Sequence, residues 1–75
     1  MKELIEYIAK SLVDDPSEVY VRVNTRKGSV HLELSVADED MGRVIGRGGR
    51  VANAMRSLLR VAASQKNVRS SLDIV

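Results

Sequence analysis

The chain has 75 residues, no cysteine and a single histidine, and its net charge is +2 at neutral pH. The composition excludes disulfides, thiolate metal sites and a histidine ligand cluster, and no apolar run approaches the length of a membrane span. A chain this short forms one domain that buries roughly 60% of its unfolded surface, so packing alone must stabilise it.

The charge is unevenly distributed along the chain. Residues 1–40 carry five basic and nine acidic side chains, whereas residues 41–75 carry seven basic side chains and Asp73 as the single acid. This concentration of positive charge is the electrostatic footprint of a nucleic-acid-binding protein. The N-terminal stretch has acids among its apolar residues, unlike a secretory signal, which predicts a cytoplasmic protein.

The N-terminal stretch predicts an amphipathic helix. Between Leu4 and Leu12 the apolar residues recur at the spacing of one helix face, with charged residues on most of the remaining positions. Because Pro16 disfavours helical backbone at the residue before it, the helix is predicted to end near Val13 or Asp14.

Two stretches with a period of two predict an antiparallel hairpin. Residues 19–25 and 30–36 alternate apolar or β-branched with polar side chains, and residues 26–29 between them have turn chemistry. His31 falls on the polar register of the second strand, which favours an exposed histidine over a catalytic one. Since no paired carboxylates, nucleophile–base pair or metal site stands out, the sequence predicts that the protein is not an enzyme.

The second half of the chain predicts two helices separated by glycines and then a strand. The acids of residues 38–40 are placed as caps before a short helix that runs to about Val44. Helical periodicity resumes at Val51 and continues to Gln65, and the alternation within residues 67–75 predicts a strand that joins the hairpin. The predicted order is therefore α-β-β-α-α-β with a three-stranded sheet.

The glycine-rich stretch Gly46-Arg47-Gly48-Gly49 separates the two helices. Its backbone N–H groups are predicted to lie at the N-terminus of the third helix, where the helix dipole favours an anion, and Arg50 adds positive charge. The expected ligand is a phosphate group. Neither cofactor fingerprint fits, because a dinucleotide motif would need glycine where Val51 stands and a Walker loop would need Gly-Lys-Ser/Thr, so no cofactor is expected.

The stretch Val44-Ile45-Gly46-Arg47-Gly48-Gly49-Arg50-Val51 closely resembles the V-I-G-x-x-G signature of KH domains, whose G-x-x-G loop clamps about four nucleotides of single-stranded nucleic acid. The predicted element order is that of the type II, prokaryotic KH domain. Over its whole length, residues 1–75, the chain looks like one domain of the bacterial stand-alone KH proteins of the KhpA type. The resemblance implies an α+β fold in which three helices pack on one face of a three-stranded sheet.

The same resemblance implies single-stranded RNA as the ligand, held by the loop and by an aliphatic groove. It also implies a role as an RNA chaperone or post-transcriptional regulator, with a second copy or a larger KH-containing protein as partner, and no membrane or small-molecule substrate. The RNA-binding residues that it implies are Arg43, Val44, Ile45, Gly46, Arg47, Gly48, Gly49, Arg50, Val51 and Met55, with Arg26 and Lys27 in the loop between the first two strands.

Two other functions remain open from the residues alone. The arginine-rich third helix is compatible with docking on an acidic partner protein, and residues 38–65 are compatible with a DNA-binding helix-turn-helix. The apolar start of the third helix at Val51 argues against the second, because a recognition helix carries base-reading polar side chains there. Binding of single-stranded RNA that depends on the glycine loop distinguishes the KH interpretation from the adaptor.

Overall fold

The computed structural model, which describes residues 1–75, contains three helices and one three-stranded sheet. Their order is the predicted α-β-β-α-α-β, with short 3₁₀ turns at 16–18, 38–40 and 47–49. No helix has the length and apolar character needed to cross a membrane. The elements are α1 (Lys2–Leu12), β1 (Tyr20–Arg26), β2 (Ser29–Ser35), α2 (Met41–Ile45), α3 (Arg50–Ser64) and β3 (Arg69–Ile74).

The first helix ends where the sequence predicts. The N–H of Val13 donates to the carbonyl of Ala9 at 3.1 Å, and Val13 itself has extended backbone. The apolar face of α1 packs into the core through Ile5 and Ala9, which are both fully buried. Burial of this face, rather than the intrinsic helix propensity of an 11-residue segment, stabilises the helix.

The hairpin of β1 and β2 is closed by a two-residue turn. Arg26 lies opposite Ser29 in the antiparallel register, so Lys27 and Gly28 alone form the connection. The second turn residue, Gly28, has φ of +77°, a conformation that favours glycine at this position of a turn. The predicted hairpin is confirmed.

The sheet has β2 at its centre, antiparallel to β1 and parallel to β3. A parallel pair needs a crossover, and α2 and α3 supply it. Alternate residues of β2 are buried against all three helices, which pack on this one face and confirm the predicted fold. The other face of the sheet is polar. The core cluster comprises Ile5, Ala9, Val19, Val30, Leu32, Leu34, Val36, Val44, Met55, Leu59 and Leu72.

The acidic residues 38–40 do not cap α2, so this part of the prediction is wrong. No side chain accepts a hydrogen bond from the first turn of α2. Asp40 is only 2% exposed, and its carboxylate instead accepts the N–H groups of Asp14 and Asp15 at 3.1 and 3.2 Å. The Nε atom of Arg43 lies 3.5 Å from the same carboxylate. The backbone that follows α1 thus donates its N–H groups to Asp40, which is distant in sequence.

Only part of the apolar side of α3 is buried in the core. Ala52, Met55, Leu59 and Ala63 are buried against the sheet and the other helices. Three further apolar residues at helical spacing stay exposed, with Leu58 50% and Val61 59% accessible. We call this set the outer stripe; it comprises Ala54, Leu58 and Val61.

Candidate nucleic-acid interface

The glycine loop between α2 and α3 takes backbone conformations that side chains disfavour. Gly46, Gly48 and Gly49 have φ of +75°, +65° and +82°. A Cβ atom built on Gly46 would lie 2.5 Å from Val51 Cγ2 and 2.8 Å from the backbone nitrogen of Val51. The turn is therefore tight at Gly46 and bare at Gly48, where an added Cβ would have no atom within 4 Å. A ligand backbone can approach such a loop closely.

The loop also forms the N-terminus of α3. Gly49 is the N-cap residue in left-handed conformation, and no side chain caps the helix. The first turn of a helix presents N–H groups without intrahelical partners, and its dipole favours an anion. Arg47 and Arg50 are exposed beside these groups and take part in no ion pair. Two donors of this junction are already used, since the N–H of Gly49 donates to the carbonyl of Gly46 and that of Arg50 to the carbonyl of Arg47. The site therefore combines the helix dipole and the remaining N–H groups with two unpaired positive charges.

Arg43, the third arginine near the loop, is tied to the fold. Its Nη2 atom donates to Asp14 at 3.0 Å, and its Nε atom faces the buried Asp40. The guanidinium is 53% exposed, but two carboxylates already offset its charge. We therefore assign Arg43 to the support of α2 rather than to a free cationic contact.

Four apolar residues predicted to line a groove divide into two pairs. Ile45 is 37% exposed and Val51 is half-buried, so both present surface beside the loop. Val44 and Met55 are 0% and 1% exposed. Because both are buried, Val44 and Met55 form the floor beneath the loop and offer no surface in this conformation.

A groove lies between the middle of α3 and the edge strand β3. It is a cleft of about 200 Å³. Within it the Nε atom of Arg56 donates to the carbonyl of Leu72 at 3.1 Å. The spacing of Arg56 and Arg60, two like charges four residues apart on one helix, was the available sequence signal for this groove. The serines of β3, which also line the groove, gave no such sequence signal. The lining residues are Arg56, Leu59, Arg60, Ser70, Ser71 and Leu72.

Arg26 and Lys27 do not lie beside the glycine loop. Their turn contacts the start of β3, where the N–H of Arg69 donates to the carbonyl of Gly28 at 2.9 Å. β3 follows the C-terminal end of α3, whereas the loop lies at its N-terminal end, and a 15-residue helix is about 22 Å long. Lys66 and Arg69 join Arg26 and Lys27 at this far end, so positive charge lies at both ends of α3.

His31 has two polar partners on the open face of the sheet. Its Nδ1 atom lies 2.5 Å from the hydroxyl of Ser71, and its Nε2 atom lies 3.3 Å from the carboxylate of Asp73. All three side chains are at least one-third exposed on a flat polar surface, and neither of the two clefts of the molecule gathers them. The arrangement is a cross-strand polar contact that helps to pair β2 with β3.

The chain matches known proteins over nearly its full length. The family model for the KhpA/KhpB KH domain matches residues 2–74. The chain is 52% identical over 75 residues to "RNA-binding protein KhpA" of Clostridium acetobutylicum, covering 100% of both chains. It is 48% identical over 75 residues to the protein of the same name from Halalkalibacterium halodurans, covering 100% of this chain and 99% of that one.

Solved structures of Era share the fold. Aquifex aeolicus Era bound to GDP and aluminium fluoride superposes with a TM-score of 0.69 at 15% identity, over 97% of this chain and 28% of the Era chain. Era in complex with nucleotides 1506–1542 of 16S ribosomal RNA superposes with a TM-score of 0.59 at 16% identity, over the same shares of the two chains. The Era structures show the fold, and the family model with the full-length sequence matches shows that the chain belongs to the KhpA/KhpB family of KH domains.

Proposed function

We propose that residues 1–75 form a single KH domain that binds a short segment of single-stranded RNA. The observation that carries this proposal is the bare loop Gly46–Gly49 at the uncapped N-terminus of α3, flanked by the unpaired charges of Arg47 and Arg50. Its backbone donors and these arginines would hold phosphate groups. The relatives named as RNA-binding proteins, and the Era structure with ribosomal RNA, support this reading.

The bases of the RNA would lie along the groove between α3 and β3. The aliphatic surface of Ile45 and Val51 lies beside the loop at the N-terminal end of α3, and the basic turn of Arg26 and Lys27 lies toward the C-terminal end. The length of α3, about 22 Å, suits a clamp that holds about four nucleotides. The chain has only two aromatic residues, so aliphatic walls rather than stacking platforms would hold the bases.

Such a clamp suits an RNA chaperone or post-transcriptional regulator, the roles we propose for the protein. It would engage unpaired RNA mainly through the phosphate backbone and release it readily, because few contacts hold it. Acceleration of strand annealing between two complementary hairpins, measured by fluorescence transfer, tests the chaperone role. Equal annealing rates with and without the protein would contradict it.

The decisive test of RNA binding is acidic substitution of the loop. The double variant Arg47→Asp, Gly48→Asp is expected to lose binding of single-stranded RNA in fluorescence anisotropy, because carboxylates repel phosphate at the site where backbone donors attract it. The fold should persist, since position 48 is open and aspartate tolerates the left-handed conformation there. The matched control, Lys10→Glu with Ser11→Glu on α1, makes the same change in net charge far along the sequence.

Three outcomes separate the candidate functions. Loss of RNA binding in the loop variant, with binding kept in the control, supports the clamp. Equal binding of both variants, or no RNA binding by the wild type, contradicts the clamp and favours the adaptor function. Preferential binding of matched duplex DNA would favour the helix-turn-helix instead.

RNA affinity is also expected to fall with salt along a shallow slope. Each neutralised phosphate of a single strand contributes about 0.7 to the slope of log K against log salt. A clamp that contacts about four phosphates therefore predicts a slope of about −3. Titrations at several salt concentrations between 50 and 200 mM, the range in which this effect is usually measured, check the value. A slope near zero would show that the phosphates are not the main contact.

A second copy of this chain is the partner that we propose for the outer stripe. Leu58 and Val61 are the two largest residues of that stripe, and both are at least half exposed. Residues two apart on a helix differ by about 200°, so Leu58 lies on the opposite flank of α3 from Arg56 and Arg60. Pairing through the outer stripe therefore leaves the groove open. The family description, which names KhpA and KhpB together, also raises a larger KH-containing protein as partner.

Acidic substitution of the outer stripe is expected to yield a monomer. In sedimentation experiments the wild type should associate with itself, and Leu58→Glu with Val61→Glu should remain monomeric because burying two carboxylates at the contact is costly. Tyr7→Glu on α1, where the side chain is 73% exposed, is the control for loss of an exposed apolar group. A wild type that stays monomeric at high concentration would contradict self-association and leave the heteromeric partner.

A further inference from the structure

Arg56 lies across the groove between α3 and β3 with its guanidinium fixed at two points. Its Nε atom donates to the carbonyl of Leu72 on the edge strand at 3.1 Å, and its Nη1 atom donates to Asn53 Oδ1 at 3.1 Å. Arg60 lines the same groove one turn later and makes no hydrogen bond of this kind. Two contacts therefore orient the guanidinium of Arg56, whereas none orients that of Arg60.

The fixed guanidinium keeps donors available to a ligand. An arginine has five N–H donors in one plane, and Leu72 and Asn53 accept two of them, which leaves three. No carboxylate pairs with Arg56, so its charge is not offset. By accepting from Arg56, the Leu72 carbonyl also becomes a weaker acceptor for a base. The groove at this point therefore presents a planar array of donors.

We infer that Arg56 determines base specificity, selecting guanine or cytosine over adenine and uracil in the groove. This inference rests on the proposed RNA-binding function. Guanine presents adjacent acceptors at O6 and N7, and cytosine presents them at O2 and N3, so either base accepts two parallel N–H donors. Adenine and uracil place a donor beside each acceptor on the corresponding edges, which leaves one N–H facing another. Single-stranded RNA exposes these edges to the protein.

A hexamer series of RNA tests the preference without knowledge of the binding register. The host is a hexamer of uridine, and each guest strand replaces one central uridine by guanosine, cytidine or adenosine; a strand this short can shift to place the guest at Arg56. In anisotropy titrations the guanosine and cytidine strands are expected to bind about tenfold more tightly than the adenosine strand and the host. The two favoured strands, compared with each other, show which of the two bases is preferred.

Arg56→Lys separates a specificity role from a simple charge. Lysine keeps the positive charge but loses the planar fork, so the variant should bind all four strands within about twofold of one another. Arg56→Gln should also lose the preference, with weaker binding overall. Arg22→Lys, on the open face of the sheet beside Glu33, is the matched control and should keep the wild-type preference. Thermal unfolding of each variant verifies that it is folded.

The possible outcomes distinguish the specificity role of Arg56 from RNA binding itself. Equal binding of all four strands by the wild type, or a preference that survives Arg56→Lys, overturns the role of Arg56 while the loop variant still tests RNA binding itself. If the wild type binds none of the strands, both the specificity role and the proposed function fall. A preference that is present in the wild type and in Arg22→Lys but absent in Arg56→Lys supports the inference.

Discussion

Alanine at position 46 is expected to lower the free energy of unfolding by on the order of 3 kcal/mol and to distort the glycine loop. Gly46 has φ of +75° and ψ of +170°, a region that is essentially restricted to glycine. The added Cβ would also lie 2.8 Å from the backbone nitrogen of Val51. Because that atom belongs to the first turn of α3, only a shift of the helix can relieve the contact.

Urea unfolding followed by circular dichroism measures this loss. A domain of this size has a total stability of several kcal/mol, so the midpoint should fall markedly. Gly42→Ala is the matched control, because residue 42 is helical, has negative φ and has no atom within 4 Å of an added Cβ. Alanine there is expected to be neutral or to stabilise α2 by up to about 1 kcal/mol. Similar losses in the two variants would show that the loop conformation is not the cause.

The element order could be predicted from the sequence because each signal is local. Periods of 3.6 and 2 in the apolar residues, together with Pro16 and the turn at Gly28, were sufficient for the helices and the hairpin. The loop could be predicted for the same reason, since three glycines in four residues can only form an irregular turn. The parallel pairing of β3 with β2 was not predicted, because periodicity alone does not give strand direction.

Contacts between distant residues could not be predicted in this way. The acids of residues 38–40 looked like helix caps, but Asp40 accepts hydrogen bonds from backbone 25 and 26 residues earlier in the chain. Likewise, periodicity placed Leu58 on the apolar side of α3 without showing that the core ends before it. The resemblance named Arg43 as an RNA-binding residue, and no local pattern indicates its contacts with Asp14 and Asp40. In each case the local pattern fixed the element, and tertiary packing decided the role of the side chain.

Asparagine at position 40 is expected to lower the free energy of unfolding by about 3 kcal/mol, the cost of removing one partner from a buried charged network. The substitution keeps the size of the side chain but turns one oxygen into an NH₂ group. That group would face either the N–H of Asp14 or the N–H of Asp15, both of which now donate to the carboxylate. The charge that faces Arg43 is lost as well.

Substitutions of two other acids, Glu39 and Asp14, provide controls for the loss of stability in Asp40→Asn. Glu39→Gln changes an exposed side chain without a hydrogen-bond partner and should alter stability by less than about 0.5 kcal/mol. Asp14→Asn removes the exposed ion pair between Asp14 and Arg43 and leaves the contact of Arg43 with Asp40. The exposed pair is worth at most about 1 kcal/mol. Unfolding free energies measured side by side should therefore rank Asp40→Asn far below the other two.

A small loss in Asp40→Asn, comparable with that in Asp14→Asn, would mean that water replaces the carboxylate at the two N–H groups. The burial of Asp40, which is 2% exposed, argues against this, because its site has little access to solvent. α2 is only five residues long and holds its position through Val44 in the core and Asp40 at its start. Loss of the second anchor therefore frees the helix that carries the glycine loop, so reduced stability in this variant should be accompanied by weaker RNA binding.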